Sequence, residues 1–348
     1  MKLTVNANDS LHFGRGKSTS AGEASFGFGM FPPYPTVLHG ALRGAFLSQN
    51  PRYIEHANEP GYDPTLEYKM TFYSMLLDGN LHFPAPMDLF AVENETELIQ
   101  CGLKENDGMS SLKRELYYLW VDQKERKISN PEGRYISACS LGNYLCGKCI
   151  NVHSVKLSDY FQHEERIGLA RDSRSRTSAD HMLYNAIMIR LKDAAFAAKL
   201  EGPADRLPDA AGVIRLGKHG KTAKYAAADF NDAMPHGNIK NGLFKLYFAT
   251  PAVFNDNFAP ELPGSKLIAL AINGYENVGG YDIKANRPKT TLRAVSAGSV
   301  FYYRLADCSD ENCSRIIETL HGKCISQEYG DAGLGLCYVG TVKLPKED

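Results

Sequence analysis

The chain has a single tryptophan in 348 residues and no apolar run longer than six, as at Leu267–Ile272. A spanning helix needs about twenty such residues, so none is predicted and no membrane partner is expected. Residues Met1-Lys2-Leu3-Thr4-Val5 alternate from the start, without the apolar core of a secretory signal. That predicts a cytoplasmic protein whose eight cysteines are thiols rather than disulfides. A surplus of charge is missing too: the net value is −1, so the chain as a whole does not attract a polyanion.

Several catalytic signatures are also absent. Gly16-Lys17-Ser18 ends like a phosphate loop, but Leu11 stands where its first glycine belongs. Gly27-Phe28-Gly29 lacks the third glycine of a dinucleotide fingerprint, since Pro32 occupies that place. There is no Gly-x-Ser-x-Gly elbow and no His-Glu-x-x-His pair. These absences exclude nucleotide hydrolase, dehydrogenase, serine hydrolase and zinc protease readings.

What is present is glycine and locally gathered basic charge. The loop Gly330-Asp331-Ala332-Gly333-Leu334-Gly335 runs into a final strand-like segment, Leu336 to Lys343, so no helix follows to hold a phosphate. Such bare backbone suits close approach by a nucleic-acid chain, or else a tight turn needing positive φ. Between Ile283 and Ala306 there is no acid but there are Lys284, Arg287, Lys289, Arg293 and Arg304. Arg215, Lys218, Lys221 and Lys224 form a second acid-free stretch, and Arg166, Arg171, Arg174 and Arg176 face only Asp172. Clusters of this kind follow a phosphate backbone even on a neutral protein, although each alone also suits a solvated loop. The Arg166–Thr177 stretch interleaves arginine with serine and threonine, donors suited to phosphate and sugar oxygens. Tyr184 follows, placed either to stack on a base or to pack in a sheet.

The pattern of elements is mixed. Lys2 to Phe13 reads as a strand, followed by a glycine-rich polar loop holding Arg15 and Lys17. A helix is predicted from a Thr36 cap to about Ser48, with Leu38, Leu42, Ala45 and Phe46 on one face. Strand-like runs Tyr68–Leu77 and Leu81–Phe90 flank Asp78-Gly79-Asn80 as a hairpin. Residues from about 91 to 165 read as an irregular insertion, with a helix candidate around Leu112–Trp120. His181–Lys199 is ambiguous between strand and helix. Lys245–Phe254, Lys266–Ile272, Thr290–Arg304 and Leu336–Lys343 read as strands and Ser314–Leu320 as a helix. The order suggests an α+β fold of two ferredoxin-like (βαββαβ, RRM-like) domains, 1–238 and 239–348, the first with the insertion.

Two further sets of residues carry chemistry. Cys139, Cys146, Cys149 and His153 offer soft metal ligands, but only one Cys-x-x-Cys knuckle is present, and no metal or other cofactor is expected. His12 and His39 are candidate bases for RNA cleavage, or hydrogen-bonding groups beside arginines.

Taken in order, these motifs resemble a known family. Phe13-Gly14-Arg15, Ala21-Gly22-Glu23, Phe31-Pro32-Pro33 and Thr36 to Arg43 resemble the opening of the third subunits of the Cmr complex. That complex is the type III-B CRISPR RNA-guided effector, and these subunits belong to the RAMP superfamily. The likeness continues through Arg166-Ile167-Gly168-Leu169, Arg215-Leu216-Gly217, Tyr247 to Ala252, Val278 to Asp282, Pro288-Lys289, Ala297 to Val300 and the closing glycine loop. The turn Lys218-His219-Gly220-Lys221 is more basic than the family pattern, and 139–153 matches no family feature. The resemblance implies two RAMP domains without a catalytic centre. It implies a subunit holding the 5′ tag of the crRNA and docking on the large polymerase/cyclase-type subunit and a backbone subunit, with target RNA engaged only indirectly. The RNA-facing residues would be Arg15, Lys17, His39, Arg43, Arg166, Arg171, Arg174, Arg176, Lys218, Lys221, Lys289, Gly333 and Gly335. The competing readings are a metal-independent endoribonuclease that processes crRNA and a scaffold that touches only protein.

Overall fold

The structure is a computed structural model. It describes residues 1–14, 26–27, 29–93, 95–105, 117–121, 127–148, 151–171, 178–254, 258–282 and 284–343. Among these, two main sheets carry the fold. The larger has eight strands, in the order Val155–Lys156, Arg134–Ser137, Asn80–Pro84, Lys69–Leu77, Ala194–Glu201, Lys2–Ala7, Thr222–Ala227, Ala211–Arg215. The smaller has five, in the order Ser265–Ala271, Val300–Leu305, Leu243–Phe248, Leu336–Thr341, Lys323–Cys324. In each, the first long strand of that half lies in the interior.

Helix α1, Pro35–Gln49, covers one face of the larger sheet. Leu38, Leu42, Ala45 and Phe46 are buried there against Leu3, Val5, Met75 and Phe196. The leucines and Phe46 each contribute about 1.5–3 kcal/mol by leaving water, so Leu42→Ala is the kind of change that would loosen this face. The helix starts two residues earlier than expected. Tyr34 is its cap, with no side-chain capping bond, and Pro35 supplies a preset φ in the first turn, so Thr36 does not cap it. Asn50-Pro51 ends it. The hairpin turns on Asp78 and Gly79, both at positive φ (48° and 74°), with Leu77 opposite Asn80. That is the geometry of a two-residue hairpin loop, and it explains the Asp-Gly pair.

The other face of the larger sheet packs on the smaller one. Phe72, Phe83 and Ala197 meet Leu243, Tyr247, Val300, Tyr302 and Tyr338 in one buried cluster. Every residue of Leu243–Phe248 is buried, because α3, Asp310–Leu320, adds Ile316 and Leu320 against the far side of this sheet. Between the sheets lies a charged pair. The Lys245 ammonium donates to Asp88 Oδ2 at 3.0 Å, with both side chains fully buried. The Tyr302 and Tyr144 hydroxyls donate to the same carboxylate at 2.6 Å each. The Lys245 nitrogen also stands 3.5 Å from the centre of the Tyr144 ring. Burial pulls the Lys245 amine below its ordinary value, with Asp88 acting against that. Sequence reading missed this cluster, because a lone Asp in a loop and a Lys inside an apolar strand carry no periodicity.

The 91–165 span is more ordered than expected. Arg134–Ser137 joins the larger sheet beside Asn80–Pro84. Helix α2, Ala138–Leu145, follows at once, with the Ser137 hydroxyl accepting from the Ser140 N–H at 3.2 Å. It places Leu141, Tyr144 and Leu145 in the core shared by the sheets. Its short length and its Cys, Gly and Asn content hide it from pattern reading. The Leu112–Trp120 helix candidate is, where described, the strand Tyr117–Trp120, paired with Gly102–Glu105. His181–Lys199 resolves into two strands, Ser178–Leu191 and Ala194–Glu201, with Asp193 at φ 46° between them.

Candidate nucleic-acid interface

The end of the first strand segment meets the 216–221 turn. His12 is buried, with Nδ1 2.9 Å from the Ile187 carbonyl oxygen. Its ring lies 5.2 Å from that of His219, which is exposed. Gly217 has φ 83°, and a Cβ there would sit 2.5 Å from the His12 carbonyl oxygen, so only glycine admits this approach. The Lys218 N–H donates to that same oxygen at 2.8 Å. The Lys218 side chain lies along Gly14, where an added Cβ would be 2.5 Å from its Nζ. Gly14 bridges to Gly29, and the exposed Lys218 and His219 stand beside this bridge. Burial first, then His12 and the lysines at 218 and 221, lowers the His219 imidazole below its ordinary value.

A charge network adjoins this corner. Asp9 accepts from Arg190 at 2.8 Å and from Lys221 at 3.1 Å, and pairs with Arg166 at 3.4 Å. Arg190 and Arg166 also bind Glu164, Arg190 very closely. Asp9 is held well below the carboxylate range by the Ser10 backbone bond, then Lys221 and Arg190. Three cations, Arg166, Arg190 and Lys221, therefore meet two carboxylates, Asp9 and Glu164. Arg190 and Asp9 were not legible as functional residues, since nothing in the sequence sets them near Arg166.

The remaining expected contacts divide. Arg15, Lys17, Arg174, Arg176 and Cys149 lie outside the described residues. Arg171 closes the strand Phe161–Arg171 and Tyr184 pairs with Gly168, but their side chains are not described either. Lys289 is exposed, its Nζ 5.7 Å from the Tyr329 ring. Arg43 is held internally, donating to Thr65 Oγ1 (2.8 Å), Asp63 Oδ2 (2.9 Å) and Asn58 Oδ1 (3.0 Å). His39 Nε2 is 3.2 Å from the Tyr68 carbonyl oxygen, and burial pushes its pKa down to about 4. Both were expected to face RNA, and both are committed to the fold instead.

Gly333 and Gly335 need the same correction. Both are buried, with φ 92° and 77°. A Cβ at Gly333 would stand 2.8 Å from Pro35 Cβ, and one at Gly335 2.4 Å from the Ser326 nitrogen. The closing loop is glycine-rich so that the chain can pack on itself. Of the metal candidates, Cys139, Cys146 and His153 are among the described residues. Cys139 and Cys146 are seven positions apart, about 10 Å along a helix, while two thiolates on one zinc sit within about 4.6 Å. No group of three metal-binding side chains occurs among the described residues.

The sequence matches the family model described as CRISPR-associated protein (Cas_Cmr3) over residues 3–342. The chain belongs to this family. It is thereby a Cmr3-type component of a type III-B CRISPR effector. Its fold is similar to chains in two solved structures. One is a cryo-EM structure of the type III-B Cmr-beta bound to cognate target RNA and AMPPnP (TM-score 0.52, 17% identity, 87% of this chain and 86% of that one). The other is of Cmr-beta bound to cognate target RNA (TM-score 0.53, 16% identity, 87% and 86%). No curated protein matches the chain. At such identities the structural likeness concerns the fold, and for this Cmr3-type chain the residues must argue the rest.

Proposed function

We propose that this subunit holds the 5′ tag end of the crRNA without cleaving it, and docks on the large polymerase/cyclase-type subunit and the adjoining backbone subunit. In this reading the two main sheets are ferredoxin-like RAMP domains divided near residue 238. Their strand orders support it, since each half sets its first strand between two late, antiparallel neighbours: Ala194–Glu201 and Thr222–Ala227 in one, Val300–Leu305 and Leu336–Thr341 in the other. The observation that carries the RNA assignment is Lys218 laid along Gly14 beside His12 and His219. Bare backbone, a cation and a ring gathered at one corner suit a ribose-phosphate chain with an unpaired base. The RNA-bound state of the similar Cmr-beta structures supports the same setting. The test is to assemble the complex with Lys218→Glu and extract its RNA. The reading expects guide occupancy to fall several-fold, and unchanged occupancy contradicts it.

One observation favours an endoribonuclease as the second reading: the adjacent imidazoles of His12 and His219. Against it, His12 is buried and its Nδ1 is engaged by the Ile187 carbonyl. Purified chain incubated with repeat RNA separates the two readings. Cleavage lost in His219→Ala supports the enzyme, and intact RNA supports the holding role.

A further inference from the structure

We propose that the β-ribbon formed by residues 275–282 and 284–295 is a second contact for single-stranded RNA, built from elements other than those around His12 and Lys218. Strand Tyr275–Val278 pairs with Leu292–Val295, with Asn277 opposite Arg293. One face is buried, where Val278 and Ala294 pack with Tyr34, Val253 and Leu334. The other presents Tyr275, Asn277 and Arg293 to solvent. The Arg293 guanidinium lies 5.1 Å from the centre of the Tyr275 ring, and that tyrosine is 49% exposed. Farther along, Tyr281–Asp282 pairs with Arg287–Pro288, and Tyr281 is 53% exposed beside exposed Arg287.

The ribbon is fixed in place. Lys284 donates to the carbonyls of Glu55 (3.2 Å) and Ala57 (3.0 Å) and to Glu59 Oε1 (3.0 Å). Lys284, Arg287, Lys289 and Arg293 against Glu276 and Asp282 give the ribbon +2, in a chain whose net charge is −1. Flat exposed rings with a guanidinium a few ångströms away match a nucleotide, which offers a π face and an anion together. Tyrosine and arginine also anchor protein partners, but such anchors sit in a ring of contacts that keeps water out, and the neighbours here, Asn277 and Thr291, are polar and exposed.

The inference rests on the reading that the chain handles RNA, but its test is separable. The full chain is titrated with fluorescent oligouridylate carrying 4-thiouridine, binding is read by anisotropy, and crosslinked peptides are mapped. The proposal expects crosslinks within 275–295 and about a tenfold loss of affinity in Tyr275→Ala/Arg293→Ala, the size of losing a stacked base. Tyr275→Phe, which keeps the ring, should bind like the parent, excluding a folding defect. Lys218→Glu should leave the ribbon crosslinks in place. Crosslinks confined to 212–224, with the double variant binding normally, overturn the ribbon and leave the guide-end reading standing. Crosslinks confined to the ribbon do the reverse. In the assembled complex, Lys284 and Lys289 crosslinking to a neighbouring protein, with no RNA adduct on the ribbon, also overturns the proposal.

Discussion

Asp88 and Lys245 meet at 3.0 Å between the two sheets, each with no exposed side-chain surface. One comes from a loop of the larger sheet and the other from an interior strand of the smaller. With Tyr144 and Tyr302 on the same carboxylate, the pair fixes how the two halves seat on each other. A buried charge left alone is far costlier than the pair. Lys245→Met alone should therefore destabilise the chain by about 3–5 kcal/mol in urea unfolding. Asp88→Asn together with Lys245→Met should cost much less than the two single changes added. Additive losses would show that the two residues act independently.

The closing glycine loop makes a second prediction. At Gly335 a side chain meets both a positive φ of 77° and the Ser326 backbone. Gly335→Ala should cost about 2 kcal/mol or more, read as a lowered urea midpoint. Among molecules that remain folded, guide binding should be unchanged. A selective loss of RNA with parental stability would return the loop to the interface.

The contrast shows what was legible. The hairpin at Asp78-Gly79, helix α1 and the last strand follow from local rules: a turn pair, an amphipathic stripe, an alternating run. The family likeness was legible for the same reason, since short motifs in fixed order survive in a linear reading. What failed depended on the third dimension. The glycines at 333 and 335 signal close approach, but the sequence does not say that the approaching groups are Pro35 and Ser326. Arg43 and His39 looked available because Asp63 and the Tyr68 carbonyl, which engage them, are twenty or more positions away. At the candidate interface, Lys218 and Lys221 were picked out by local basicity, while Arg190, reached through the fold and Asp9, was not.

Stability should depend on pH through His39. Burial pushes its folded pKa down to about 4, from the ordinary imidazole value of about 6.5. Between those values the unfolded chain binds the proton and the folded chain does not, so acidification favours unfolding. Stability should fall as pH drops from about 6.5 towards 4, by up to roughly 3 kcal/mol from this group. His39→Gln, which still donates to the Tyr68 carbonyl, should flatten that part of the curve in urea unfolding followed against pH. Parallel curves for parent and variant would remove His39 as the cause.

Asp9 restrains three cations. Asp9→Asn should release Arg166, Arg190 and Lys221 towards phosphate, raising RNA affinity at low salt and steepening its salt dependence. Lys218→Glu should do the opposite, lowering the salt slope by about one. Anisotropy titrations at several salt concentrations read both. An Asp9→Asn protein with unchanged slope would mean that the network serves only the fold.

The most direct test of the account is a photocrosslink from the guide itself. The complex is assembled on crRNA carrying 4-thiouridine within its 5′ tag, irradiated, and the adducts are mapped. Adducts are expected on this subunit at the 212–224 turn, around Lys218 and His219. Adducts confined to the other subunits, at full guide occupancy, would contradict it.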